Sequence, residues 1–186
     1  MLGLLFGAVS TGPFSTRAPV SVVVVDTLAS FPSVEGSNLE GEHFKLPSDF
    51  KGELNVVLVA FKREQQGDVD SWMPFLKTMG ETRRDLRVYE LPTLGRRYRL
   101  MRPFIDGGMR RGIPDAAVRA ATITLYIDKA PFRESLRIPD EDRIYVVLVD
   151  QKGRIFWRAA GRFDERSGAE LVRRAEETHS AHGVGP

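Results

Sequence analysis

The run Leu54 to Phe61, LNVVLVAF, constrains this chain more than any other feature. It is apolar and β-branched over a strand's length without alternation, bounded by Lys51-Gly52 and by the charged stretch Lys62 to Asp70. A strand of that kind is covered on both faces, which sets it in the middle of a sheet rather than at an edge.

The segments around it supply the covering layers. A helix is expected to start at Asp68 or Asp70, either of which can cap it. It carries Trp72, Phe75, Leu76 and Met79 on one side at spacings of three and four, with Pro74 in the first turn. Leu86 to Leu91 reads as a second strand, and Pro92 to Ala120 as an irregular stretch with short helical pieces over Met101 to Met109 and Pro114 to Ala121. Thr122 to Ile127 is a third strand, followed by about one helical turn over Pro131 to Leu136. Arg143 to Val149 and Arg154 to Ala160 flank the turn Asp150-Gln151-Lys152-Gly153, the signature of an antiparallel hairpin. Asp164 or Ser167 can cap a last helix through Glu177, with Leu171, Val172 and Ala175 inward. Upstream, Phe31 to Pro47 alternates apolar and polar positions between glycines, as a short hairpin or extended arm does.

A strand-helix-strand start needs a parallel pair, and a closing hairpin plus helix completes a mixed sheet flanked by helices. The expected architecture is a thioredoxin-like, three-layer α/β fold. With 186 residues, 42% of them hydrophobic, one core in one domain is expected. It is assigned to residues 31–178, after an N-terminal extension at 1–30, flexible or targeting, and before a flexible tail at 179–186. The first 34 residues hold two charges, Arg17 and Asp26, and Val20 to Val25 is a candidate edge strand. No apolar run approaches the ~20 residues of a spanning helix.

The loop from the buried strand to its helix is where a fold of this kind places a redox cysteine, because backbone N–H groups and the helix dipole lower the thiol pKa. Here it reads Lys62-Arg63-Glu64-Gln65-Gln66-Gly67-Asp68-Val69-Asp70-Ser71-Trp72, and the chain has no cysteine. Thiol redox chemistry, disulfides and thiolate metal sites are thereby excluded. Ser71 is the small nucleophile nearby, but a serine needs an adjacent base, and capping is its expected role. His179 and His182 are spaced for one metal, without an evident third ligand. Asp68 with Asp70, and Asp140 with Glu141 and Asp142, read as capping or solvated carboxylates rather than an acid–base pair. Gly107-Gly108 and Gly112 match no phosphate-loop spacing. The proline nearest the hairpin is Pro139, short of Ile144, where redox-active thioredoxins keep a substrate-binding proline immediately before the strand. No catalytic residue, cofactor or metal is expected.

Charge is the remaining signal. Arginine outnumbers lysine 21 to 6, and Arg83 to Arg119 holds ten arginines against four acids in a chain whose net charge is only +2. Arginine forks grip phosphate and carboxylate, so this side suits anionic lipid or an acidic protein surface. Tyr89, Tyr98 and Phe104 lack the spacing of a base-stacking platform, which argues against nucleic acid.

Phe31 to Leu39, the strand LNVVLVAF with the Ser71-Trp72-Met73-Pro74-Phe75 helix start, and Tyr145-Val146-Val147-Leu148-Val149-Asp150-Gln151-Lys152-Gly153-Arg154-Ile155-Phe156-Trp157 together resemble the mitochondrial ATP synthase assembly factor ten family. The likeness spans about Phe31 to Glu177, and Ser71-Trp72 and Trp157 carry it best. It implies a non-enzymatic chaperone of the membrane-embedded Fo sector, peripheral to the mitochondrial inner membrane in a eukaryote. The expected partner is a protein client, an Fo subunit, with peripheral contact to anionic membrane. Residues proposed to bind it are Arg63, Trp72, Arg96, Arg97, Arg99, Arg102, Arg110, Arg111 and Trp157. The competing expectation is a degenerate peroxiredoxin-like or TlpA-like protein with another binding role or an activity that needs no sulfur.

Overall fold

The computed structural model describes residues 29–182, with side chains through Ser180. β3 (Leu54–Ala60) is buried at all seven positions and lies between β4 (Leu86–Gly95), to which it is parallel, and β6 (Tyr145–Asp150), to which it is antiparallel. The sheet runs β2-β1-β5-β4-β3-β6-β7. β1 (Val34–Asn38) and β2 (His43–Leu46) form the expected N-terminal hairpin, and β1 continues the sheet antiparallel to β5 (Ile123–Ile127). β5 is parallel to β4, and β7 (Ile155–Ala160) is the hairpin partner of β6.

Alternation along β3 sorts the core into two layers. Val57 and Val59 point to one face, among Phe31, Phe44, Phe50, Phe132 and Leu136, the last two from α4 (Lys129–Ser135) and the residue that closes it. Val56 and Leu58 point to the other, against Val69, Trp72, Leu76 and Met79 of α1 (Gln66–Thr82) and Leu171 and Ala175 of α5 (Glu165–His182). The crossover between β4 and β5 is a 3-10 stretch, Arg96–Met101, then α2 (Arg102–Gly112) and α3 (Ala116–Ala121).

Several boundaries differ from expectation. α1 starts at Gln66 after a 3-10 turn, Arg63–Gln65, so neither Asp68 nor Asp70 is its cap. β4 runs past Pro92 to Gly95 because the strand changes neighbours there: Pro92 is the last residue in register with β3, and pairing with β5 begins at Thr93. The domain begins before residue 31, since Ala29 is buried and Ser30 bridges Arg154. Nor does it end at 178, because α5 continues through His182. The readings for the rest of the N-terminal extension, including Val20 to Val25, and for residues 183–186 lie outside the described residues. No described helix is long and apolar enough to cross a membrane.

Candidate functional site

The parallel strands β3, β4 and β5 end at one edge of the sheet, and antiparallel β6 begins there. Ligands of open α/β sheets bind at that carboxyl end. Four segments meet on it: the β3–α1 loop, the start of the Arg96–Met101 stretch, the N-terminus of α4, and the loop leading into β6.

Two of these segments are stitched together by one buried side chain. Gln65 accepts the backbone N–H groups of Phe61 and Lys62 on Oε1, at 2.8 and 3.2 Å, and donates Nε2 to the Glu141 carbonyl at 2.7 Å. Charges reinforce the seam. Lys62 pairs with Asp142 at 2.7 Å, while Lys129 and Arg133 of α4 both hold Glu141. The Lys62 pair is solvent-exposed, so water and salt screen it and it adds little to stability. The Asp142 N–H and the Tyr145 hydroxyl hold the Asp140 carboxyl below the usual carboxylate range, and burial with that same carboxylate pushes the Tyr145 phenol up to about 12.

Ser71 is neither a cap of α1 nor a poised nucleophile: its Oγ donates to the Asp68 carbonyl at 2.6 Å and accepts the Phe163 N–H at 2.9 Å, clipping α1 to the β7–α5 loop. His179 pairs with Asp85 at 3.5 Å at the other end of the sheet, and the His182 side chain lies outside the described residues. Among the described residues no three potential ligands converge on a metal position. The lining of an open depression at that opposite end includes two pairs, Arg154 with Asp150 and His179 with Asp85.

The nine proposed partner-binding residues separate into three sets. Arg63, Arg96, Arg97, Arg99 and Arg111 are exposed, and the topology brings the first four to the carboxyl end of the sheet. Arg102 and Arg110 turn back onto the protein, Arg102 to Asp106 at 3.1 Å and Arg110 to Glu40 at 3.2 Å. Trp72 and Trp157 leave the surface altogether. Trp72 is 0% and Trp157 5% exposed, their rings meet edge to face at 6.1 Å, and Phe163 closes on Trp72 at 5.2 Å. The Trp72 Nε1–H reaches the Gly161 carbonyl at 3.0 Å, so even its polar handle is satisfied indoors. Burying a side chain this large is worth about 3 kcal/mol, which outweighs any surface role for it.

Sequence reasoning passed over Gln65 and Asp106. Gln65 left no signal, since glutamine is not a favoured cap. Asp106 accepts from Arg102, from Thr124 Oγ1 at 3.3 Å and from Tyr126 Oη at 2.8 Å, which fastens α2 to β5. It stands alone among six arginines between Arg96 and Gly112, and that isolation was its one visible mark.

Solved structures with this architecture include BsSco, a member of the Sco family of cytochrome c oxidase assembly proteins, at TM-score 0.58 and 13% identity over 82% of this chain and 96% of that one. Copper-bound yeast Sco1 matches at TM-score 0.54 and 12% identity, over 82% and 94% of the two chains. A thiol:disulfide interchange protein, DsbE, from Chlorobium tepidum matches at 0.53 and 13%, over 83% and 98%. These likenesses establish a thioredoxin-like fold. No curated protein matches by sequence. The sequence profile described as ATP10 protein, however, matches residues 17–176, nearly the whole chain and all of the sheet, and by that match the chain belongs to the ATP10 protein family.

Proposed function

We propose that this protein is a non-enzymatic assembly factor that holds a subunit of the ATP synthase, one embedded in the membrane, while the enzyme is put together. The observation that carries the reading is the state of the carboxyl edge of the sheet. Gln65 and the Lys62–Asp142 and Lys129–Arg133–Glu141 pairs tie together the loops at this edge, the β3–α1 loop being where a redox-active protein of this fold keeps its thiols. Such a seam makes a rigid, charged and chemically unreactive end, suited to contact rather than turnover. Family membership supplies the class of client, an ATP synthase component. Two chaperone-relevant features fit: exposed arginines with no acidic partner among the described residues, and a fold shared with a member of a family of cytochrome c oxidase assembly proteins.

The test is crosslinking of the tagged full chain in its native host followed by identification of what it holds. An ATP synthase subunit should be recovered, and recovery should fall when Arg63, Arg96, Arg97 and Arg99 are reversed to Glu. Recovery of no such subunit, or consumption of peroxide by the purified protein with a thiol reductant, overturns the reading.

A further inference from the structure

α2 is anchored to the sheet by polar side chains. None of its eleven residues is fully buried; Asp106 reaches Thr124 and Tyr126, and Arg102 bonds to Asp106 and lies over the Tyr126 ring at 5.9 Å, with Ile105 and Met109 half-buried at the same helical spacing. The apolar side chains at and just before its start turn to solvent instead: Leu100 is 94% exposed, Phe104 75% and Met101 51%. Helical spacing continues that outer face through Gly108, where an added Cβ would meet nothing within 4 Å, to Arg111. Around it stand Arg96, Arg97, Arg99 and Arg111, which have no acidic partner among the described residues.

We propose that the excursion Arg96–Gly112 docks this protein on an anionic lipid surface, Leu100, Met101 and Phe104 entering the acyl boundary while the four arginines grip headgroup phosphates. Three observations favour lipid over a protein groove. Leu100 and Phe104 project almost fully rather than lining a cleft. Three apolar side chains fall short of the ~800 Å² per partner that a standard protein interface buries, whereas shallow insertion backed by cations suffices for a bilayer. Guanidinium forks match phosphate without requiring fixed positions for it. The inference needs no client, so it can fail or hold apart from the holding function.

The experiment is co-sedimentation of the full chain with phosphatidylcholine vesicles containing phosphatidylglycerol, beside vesicles of phosphatidylcholine alone. Wild type should bind the anionic vesicles and lose them as salt rises. R96Q/R97Q/R99Q should weaken binding on the order of 100-fold, from roughly fivefold for each arginine. L100S/F104S, at exposed positions and with unchanged thermal unfolding, should weaken it at least about tenfold. Equal binding to neutral vesicles, no binding to anionic ones, or full binding by L100S/F104S overturns the proposal. So does an L100S/F104S variant that keeps its vesicles and loses a protein partner, because the patch is then a protein contact.

Discussion

Gln65 shows how a single side chain can close a site. Replacing it with Leu leaves the Phe61 and Lys62 N–H groups and the Glu141 carbonyl without their partner in a nearly dry position. Each such orphan costs about 1–3 kcal/mol, softened where water reaches it, so Gln65→Leu should lose about 3 kcal/mol in urea unfolding. Gln65→Glu, which retains the acceptor, should lose less. Glu90 is the residue that sets a pH dependence. It sits in β4 under α1, where burial, and then the Asp70 carboxylate, push its carboxyl up to about 7 although Gln66 donates to it. The folded state therefore prefers Glu90 protonated. Its contribution is intact below the unfolded value near 4.5 and is lost as pH rises through about 7, with an upper limit of about 3 kcal/mol. Glu90→Gln should match wild type near pH 4 and exceed it above pH ~8; equal stabilities at both pH values would show that the carboxyl is not the cause. Neither residue announces itself in the sequence, because a buried acid or amide is recognised by what folds over it.

At the scale of elements, legibility followed burial. β3 and β6 could be read because both faces are covered and every position is apolar or nearly so. The β6–β7 hairpin could be read from Gly153, whose φ of +82° and whose close approach to the Phe31 carbonyl, 2.8 Å from an added Cβ, admit no other residue cheaply. The β4–β5 crossover stayed opaque because it contradicts the rule used to read it. Leu100, Met101 and Phe104 face water, while Asp106 is tied to β5. A polar anchor of this kind predicts a detachable element. Asp106→Ala removes an acceptor of Arg102, Thr124 and Tyr126 at once, and with no fully buried residue in α2 the ion pair of Arg110 with Glu40 is the main tie left to hold it. Amide exchange over Arg102–Gly112 should rise by roughly 10- to 100-fold in the variant, while β3 and β6 exchange as before. Faster exchange throughout the sheet would mean that the helix is instead part of the cooperative core.

For the molecule as a whole, charge and topology point the same way. The strand order sets the crossover over β5, on the β1–β2 side of the sheet, and α5 over β6 and β7 on the other. The stitched carboxyl edge and the start of the arginine stretch share one end, because β3 and β4 are parallel. A bilayer that takes up Leu100 and Phe104 would thus have the Lys62–Gln65 loop directed toward it, and a membrane-embedded client would meet this edge at the headgroup level. The footprint follows from that geometry. With anionic vesicles bound, amide exchange should slow over Arg96–Gly112 and, less strongly, over Lys62–Gln65, and remain unchanged in α5 and in the Gln151-Lys152 turn at the opposite end. Protection centred on α5 would place the membrane on the wrong flank and separate lipid docking from the edge that is argued to hold the client. Protection confined to Arg96–Gly112 would keep the docking element and move the client's contact elsewhere on the sheet.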